Sequence, residues 1–312
     1  MNARTLLLLA GLLAPVSAFP AAYSLPEDGS QVVGAVTTVR VSYEDTLASV
    51  AQQYGLGYQE ILDANPDVDP WIPGEGTEVV LPTAYVLPDT PREGIVINVA
   101  EYRLYHYLPE RNLVVTYPVG LGRDDFRTPL ATTKIVTAIE NPTWTPTATS
   151  RAEHAARGEP LPNVVPPGPD NPLGSMALQL DLPSYFIHGT NQPFGVGQMV
   201  SQGCIRLYEP HIAALVEMAR KGTQVRIVNE PYKVGWRDDE LYVEVHRNVY
   251  NEADPEDLVR RVQTATKNRA TVADWARIDS LMEAPTGMPA RIPSRSEQVA
   301  DYLRAQQVSE IR

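Results

Sequence analysis

The chain has 312 residues, of which 43% are hydrophobic and 21% are charged. This composition is typical of a globular protein, and the length is sufficient for two or three domains. With 26 basic against 38 acidic residues, the formal net charge at pH 7 is −12. Such an acidic chain is a poor candidate for binding nucleic acid or an anionic membrane surface.

The first 18 residues have the pattern of a secretory signal peptide. Arg4 supplies a positive charge, residues 6 to 13 form an apolar run, and the small residues at positions 16 to 18 form a cleavage site. The apolar run is too short to cross a bilayer. We therefore expect an exported protein whose mature chain begins near residue 19.

Residues 37 to 83 predict a compact α+β unit. Alternating residues at 38 to 41 predict a strand, Asp45-Thr46 begins a helix, residues 58 to 64 form a second helix, and residues 78 to 82 form another strand. Strand, helix, helix and strand in this order make a small two-layer domain.

The sequence of this unit resembles the LysM module. The resemblance is carried by Asp45-Thr46-Leu47, Val50-Ala51, Tyr54-Gly55, Ile61-Leu62, Ala64-Asn65-Pro66 and Val80-Leu81-Pro82. It implies binding of glycans that contain N-acetylglucosamine, as in peptidoglycan. The alternative is that the unit only packs against the next domain.

A second, mainly β domain is predicted over residues 94–230. Residues 84–93 contain prolines and are expected to be a semi-rigid linker. Several short runs with alternating apolar residues and turn signals then predict an antiparallel β core. The proline-rich insertion at residues 140–175 contains one short predicted helix, and we interpret it as a lid, with a surface decoration as the alternative.

The stretch from residue 185 to 208 brings together a thiol and an imidazole. Cys204 is the only cysteine of the chain, and His188 is expected at the exit of a short buried strand. A connection rich in glycine and asparagine then returns the chain to the same place. Because an unpaired thiol is a liability in an oxidising compartment, Cys204 is a candidate nucleophile with His188 as its base. The alternative is a buried cysteine that serves only as a small apolar residue.

After this stretch, a helix is predicted from Glu209 to Lys221. Residues 231–250 are expected to form a terminal strand region, and residues 251–312 a helical extension of unknown role.

The sequences Ile187-His188-Gly189-Thr190-Asn191 and Ser201-Gln202-Gly203-Cys204-Ile205-Arg206-Leu207 resemble the YkuD-type L,D-transpeptidases of the ErfK/YbiS-like branch. The resemblance covers residues 94 to 248. It implies a β-sandwich-like catalytic domain with a short helix after the catalytic cysteine. LysM before this domain is a familiar arrangement in the family.

The resemblance implies a role for each motif residue. Cys204 is the nucleophile, His188 is the base, and the carbonyl of Gly189 orients the imidazole. The N–H groups of Gly203 and Cys204 form an oxyanion hole, and the helix beginning near residue 210 favours the thiolate. The substrate contacts are expected from a carboxylate-binding arginine, a loop-fixing serine and four further side chains: Arg206, Ser201, Thr190, Asn191, Tyr185 and Trp144.

The implied reaction is acyl transfer in peptidoglycan. The thiolate attacks the carbonyl of meso-diaminopimelate at position three of a tetrapeptide stem and releases D-alanine. The acceptor is left open: another stem, a lipoprotein lysine, a free D-amino acid or water. The first two define a transpeptidase, and the last two an exchange enzyme, carboxypeptidase or amidase. A non-catalytic glycan-binding protein is a third possibility. The periplasm is the expected location.

No cofactor or metal is expected. The family often has an imidazole at the position of Gln202, so this chain lacks a second imidazole in the motif. A zinc site at His188, Cys204 and His211 would lack a fourth ligand and the usual spacing. The other histidines, His106, His154 and His246, are interpreted as structural, with substrate contact as an alternative for His154.

Overall fold

The computed structural model describes residues 20–252, 254–269, 273–294 and 297–298. The predicted signal peptide at residues 1–18 lies outside the described residues. Among the helices described, none is both long and apolar enough to cross a membrane.

The described part of the chain contains 18 strands and six α-helices. The strands are β1 (Ala21–Ser24), β2 (Val32–Gly34), β3 (Thr37–Arg40), β4 (Glu78–Leu81), β5 (Ala84–Val86), β6 (Gly94–Asn98), β7 (Arg103–Leu108), β8 (Leu113–Pro118), β9 (Leu121–Gly122), β10 (Ala131–Glu140), β11 (Met176–Leu180), β12 (Phe186–His188), β13 (Met199–Ser201), β14 (Ile205–Arg206), β15 (Gln224–Val228), β16 (Tyr232–Arg237), β17 (Glu240–Val245) and β18 (Ala290–Ile292). The helices are α1 (Leu47–Gln53), α2 (Tyr58–Ala64), α3 (Ala148–Ala156), α4 (Glu209–Met218), α5 (Pro255–Thr266) and α6 (Trp275–Glu283).

A nine-stranded sheet forms the centre of the molecule, in the order β1-β8-β7-β6-β15-β10-β11-β12-β14. Successive residues of a strand point to opposite faces, and both faces of β7 are covered. Leu104 contributes to the larger apolar core on one face, whereas Tyr105 and Tyr107 contribute to a second core on the other. The expected mainly β fold is confirmed, and α4 lies soon after Cys204. That helix ends at Met218, three residues earlier than predicted, because Ala219 is already extended.

The N-terminal α+β unit folds as predicted. β3 pairs with β4, and α1 and α2 cover them, with Leu47 and Ile61 fully buried between the layers. The side chain of Thr46 caps α1 by accepting the N–H of Ser49 at 3.0 Å. The expected βααβ arrangement is therefore present.

The segment expected to be a linker, residues 84–93, instead contains the buried strand β5. β5 pairs with β2, and the N–H of Val86 donates to Glu244 of β17. The prolines at positions 88 and 91 follow the strand without interrupting it. Because its side chains and main chain are both engaged, this segment is part of the folded core and not a tether.

The C-terminal region forms its own layer. β16, β17 and β18 make a sheet on which α5 and α6 pack, so the extension expected to be helical also contains a strand. Lys233 is buried between Glu101 and Glu244, at 2.6 and 2.7 Å from their carboxylates. The Lys233–Glu101 ion pair connects the C-terminal sheet to the central domain, whereas Glu244 lies in the same sheet as Lys233.

Candidate active site

Strands β12 and β14 place the imidazole and the thiol on the same face of the sheet. They pair in parallel, with Ile187 opposite Ile205 and His188 opposite Arg206. Ile187 and Ile205 are both fully buried in the core. Alternation along the strands therefore directs His188, Arg206 and the preceding Cys204 to the other face. His188 is 3% exposed, whereas Cys204 is half-buried.

The carbonyl of Gly189 fixes the tautomer of His188. The distance from Nδ1 to the Gly189 oxygen is 2.6 Å, and a carbonyl only accepts, so Nδ1 carries the proton. Nε2 is then the nitrogen that accepts a proton. Burial, with the charge of Arg206 as a second cause, lowers the pKa of His188 to about 4. The imidazole is therefore neutral at pH 7 and is a competent base.

Ser201 and Thr128 hold the loop that carries the thiol. The Ser201 hydroxyl donates to the carbonyl of Cys204 at 2.6 Å, and the Thr128 hydroxyl donates to the carbonyl of Gly203 at 3.0 Å. Gly203 has a φ of +103°, and a Cβ there would lie 2.8 Å from Cε1 of Tyr185. Only glycine fits this turn.

One of the two predicted oxyanion donors is already engaged. The N–H of Gly203 donates to Oγ of Ser201 at 3.1 Å. That group therefore stabilises the loop in this state, and its role toward an oxyanion stays a prediction. The N–H of Cys204 is the second predicted donor.

The thiol is protonated at neutral pH. Burial raises the pKa of Cys204 above its ordinary value, and the N–H of Phe186 and the charge of Arg206 offset only part of this effect. The expected contribution of the N-terminus of α4 to the thiolate stays a prediction. The site pairs a neutral thiol with a neutral imidazole, so proton transfer has to accompany attack.

Arg206 has the properties of an anion-binding residue. No carboxylate among the described residues forms an ion pair with it, and its buried Nε has no hydrogen-bond partner there. Burial lowers the pKa of its guanidinium. A half-buried cation without a counterion is costly unless a ligand supplies the negative charge.

Arg206 and Gln202 line a cleft of about 690 Å³. The predicted lid forms one side of it, through α3, and the residues after His188 form the other. Trp144, Asn191 and His154 also line this space, so the structure brings the first two expected substrate contacts together with Arg206.

Gln202 connects the catalytic loop to α3, a role that sequence reasoning missed. Its Oε1 accepts from the hydroxyls of Thr147 and Ser150 at 2.8 and 2.9 Å, and its Nε2 donates to Glu153 at 3.4 Å. Glu153 also forms an ion pair with Arg123. Gln202, which stands where the family often has an imidazole, thus attaches the N-terminal turn of α3.

Thr190 and Tyr185 have structural contacts. Thr190 is buried, and its N–H donates to Oε1 of Glu209 at 2.7 Å, while Tyr185 packs against Gly203. The other carboxylate oxygen of Glu209 accepts from Ser175. Glu209 therefore orders the turn after His188, and only its position at the start of a helix marked it in the sequence.

The remaining histidines lie away from the thiol. His106 and His211 are buried, and His211 contacts the rings of Tyr117 and Tyr208. His246 lies 2.6 Å from Glu244. In the described part of the chain, the one group of potential metal ligands with closely spaced atoms is Glu101, Glu244 and His246. Because the Lys233 ammonium already lies against both carboxylates, this group is an ion-pair network.

A thiol and a neutral imidazole on the same face of the sheet as an unpaired guanidinium, which itself lines a cleft, define a site for nucleophilic acyl transfer. A family model described as the L,D-transpeptidase catalytic domain matches residues 92–227, and a LysM domain model matches residues 39–70.

Over 298 residues the chain is 40% identical to the probable L,D-transpeptidase ErfK/SrfK of Escherichia coli strain K12. The alignment covers 92% of this chain and 96% of that protein. It is 42% identical over 282 residues to the probable L,D-transpeptidase YbiS of the same strain, covering 86% and 91%. The chain belongs to the L,D-transpeptidase family, and both resemblances in its sequence are confirmed.

Proposed function

We propose that this protein is a peptidoglycan L,D-transpeptidase that uses Cys204 as its nucleophile. The observation that carries the proposal is the His188 tautomer: Gly189 holds the proton on Nδ1, which leaves Nε2 as a base on the same face of the sheet as the only thiol of the chain.

The reaction begins with two neutral groups. Nε2 of His188 takes the thiol proton as Sγ of Cys204 attacks the carbonyl of residue three of a tetrapeptide stem. The N–H of Cys204 stabilises the oxyanion, a contribution of about 3 kcal/mol to the barrier in comparable sites. The imidazolium then returns its proton to the amine of D-alanine, which leaves a thioester.

Arg206 binds a carboxylate of the stem peptide, and Asn191 and Trp144 contact the peptide within the cleft. The amine of another stem resolves the thioester and forms a cross-link, or the amine of a lipoprotein lysine resolves it and attaches the lipoprotein. Water in the same role would make the enzyme hydrolytic, and a free D-amino acid would make it an exchange enzyme. The cell wall of the periplasm, reached through the predicted signal peptide, is the proposed location.

The test is incubation of the mature protein with tetrapeptide muropeptides, followed by mass spectrometry. Loss of D-alanine together with a dimer supports transpeptidation, and loss without a dimer supports hydrolysis or exchange. A wild-type protein that binds glycan but releases no D-alanine would make the enzymatic proposal wrong.

A carbapenem tests the nucleophile separately. The wild type should gain the mass of one acyl adduct, and Cys204→Ala should gain none. His154→Ala, which removes the half-buried histidine of the cleft, is the control and should acylate normally. An adduct on the Cys204→Ala variant would contradict the assignment.

A further inference from the structure

Three aromatic side chains meet where the LysM unit contacts the catalytic domain. Tyr58 and Trp71 belong to the LysM unit, and Phe194 lies in the loop between His188 and Cys204. The ring centroids are 4.7 Å apart for Tyr58 and Phe194, 5.8 Å for Trp71 and Phe194, and 6.4 Å for Tyr58 and Trp71. We call these three residues the aromatic platform.

The platform is open to solvent. Trp71 is 58% exposed and Phe194 is 46% exposed. Ile72, next to Trp71, is 75% exposed and extends the apolar surface. Exposed apolar patches that are surrounded by polar residues mark interaction sites or ligand-binding grooves.

The two domains hold the platform in a fixed position. The N–H groups of Tyr58 and Gln59, at the start of α2, donate to the carbonyls of Val196 and Gly197 at 3.1 and 3.2 Å. A Cβ at Gly197 would lie 2.3 Å from the nitrogen of Tyr58, so the two backbones are in close contact. The rings therefore do not depend on a flexible tether to meet.

The platform continues the cleft that Arg206 lines. Phe194 lines that cleft together with Gln192, Asn191 and Arg206, whereas Trp71 lies beyond it on the LysM side. A ligand seated at Arg206 would therefore pass over Phe194 before it reaches Trp71.

We infer that Tyr58, Trp71 and Phe194 form a saccharide subsite that both domains build together, and that it holds the sugar attached to the stem peptide in the cleft. A pyranose ring has an apolar C–H face that stacks on aromatic rings, while its hydroxyl and acetamido groups remain available to polar side chains such as Asn191 and Gln192. The platform carries no charge, which suits a neutral sugar. This inference rests on the proposed function, because it names a further part of the same substrate.

The experiment compares D-alanine release from a disaccharide tetrapeptide and from the free tetrapeptide of the same sequence. The wild type should prefer the disaccharide substrate. Trp71→Ala should lower kcat/KM about three- to tenfold on that substrate, through KM, and leave the free peptide within about twofold. Phe194→Ala should show a similar loss on the disaccharide substrate. Tyr54→Ala, which removes another exposed LysM aromatic residue, is the matched control and should change neither.

Titration calorimetry with the peptide-free disaccharide gives a second readout that does not depend on turnover. The wild type should bind, and Trp71→Ala should bind about three- to tenfold more weakly. Equal rates of the wild type on both substrates, or equal losses on both in Trp71→Ala, would overturn the inference. Loss of acylation of a lipoprotein lysine alone, with sugar binding intact, would overturn it in favour of a protein-docking surface. An inactive wild type that still binds the disaccharide through Trp71 would refute the proposed function and retain the subsite.

Discussion

The two walls of the cleft are held in different ways. The docked wall comprises residues 189–198 and is fixed to the LysM unit by main-chain hydrogen bonds from Tyr58 and Gln59. The latched wall comprises α3 and the remainder of residues 140–175, and side chains attach it through Gln202 and the Arg123–Glu153 ion pair.

The ion pairs near the two walls also differ in how deeply they are buried. Next to the docked wall, Glu60 accepts from Arg103 at 2.6 and 2.8 Å, and these side chains are 8% and 0% exposed. Arg123 and Glu153 on the latched wall are 34% and 31% exposed. Partly exposed ion pairs contribute little to stability, whereas removing one partner of a buried pair is costly. We therefore propose that the latched wall is the side that opens, in keeping with the interpretation of residues 140–175 as a lid.

The largest expected effect comes from breaking the docked wall. Glu60→Ala should lower the free energy of unfolding by about 3 to 5 kcal/mol, because Arg103 would keep a buried charge without its counterion. Urea denaturation measures the change. Glu78→Ala removes the exposed partner of Arg40 in the same unit and should cost at most about 1 kcal/mol. Similar losses in the free energy of unfolding of the two variants would mean that the buried Glu60–Arg103 pair stabilises the protein no more than an exposed pair does.

The latched wall should respond in activity before it responds in stability. Gln202→Ala removes the attachment to Thr147, Ser150 and Glu153, so α3 should leave the cleft more readily. We expect KM for the muropeptide to rise about tenfold, with a loss of about 1 kcal/mol in the free energy of unfolding.

Trypsin provides a readout of lid opening for the same variant. Cleavage after Arg157, at the C-terminal end of α3, should accelerate in Gln202→Ala. Gln263→Ala, at an exposed position of α5, is the control and should leave both KM and cleavage unchanged. A rise in KM without faster cleavage would place the effect of Gln202 elsewhere than in the latch.

The reactive pair beside the cleft should report its neutral state in its pH dependence. Since the pKa of His188 is about 4, the imidazole loses its function as a base only as the pH falls through that value. Carbapenem acylation should therefore reach half of its maximum rate near pH 4. Iodoacetamide, which requires a thiolate, should alkylate Cys204 slowly at pH 7 and faster above the ordinary thiol pKa of about 8.5. Rapid alkylation at pH 7 would instead indicate a resting thiolate–imidazolium pair.

Local patterns predicted much of this fold. The helix expected over residues 58 to 64 has those bounds in the structure, because its apolar spacing and the following Asn65-Pro66 are local signals. β16 lies within the predicted strand region of residues 231–250, but its bounds were not predicted, because Lys233 and Gly235 break the apolar pattern of the strand. The partners that make a buried Lys233 acceptable include Glu101, which is 132 residues away in sequence. β5 was not predicted, because the prolines of residues 84–93 indicated a linker.

In the site too, the residues of local motifs were predicted and the contacts between distant residues were not. His188, Gly189, Cys204 and Arg206 lie in two short motifs, and the motifs were sufficient to select them. The attachments of Gln202 span 49 to 55 residues, and the hydroxyl of Thr128 reaches Gly203 across 75. The state of the Gly203 N–H depends on the rotamer of Ser201, which a sequence pattern does not determine.

The smallest expected effect compares the two walls at different ionic strengths. Raising salt from about 0.1 M to about 1 M shortens the Debye length from about 10 Å to about 3 Å and screens partly exposed charges more than buried ones. Hydrogen exchange of amides in α3 should accelerate about two- to fivefold, because the Arg123–Glu153 pair weakens. Amides in α2 should not change, since Glu60 and Arg103 are shielded from solvent. Equal acceleration in both helices would show that screening does not separate the walls, and no acceleration in α3 would show that the Arg123–Glu153 pair does not set the stability of the latch.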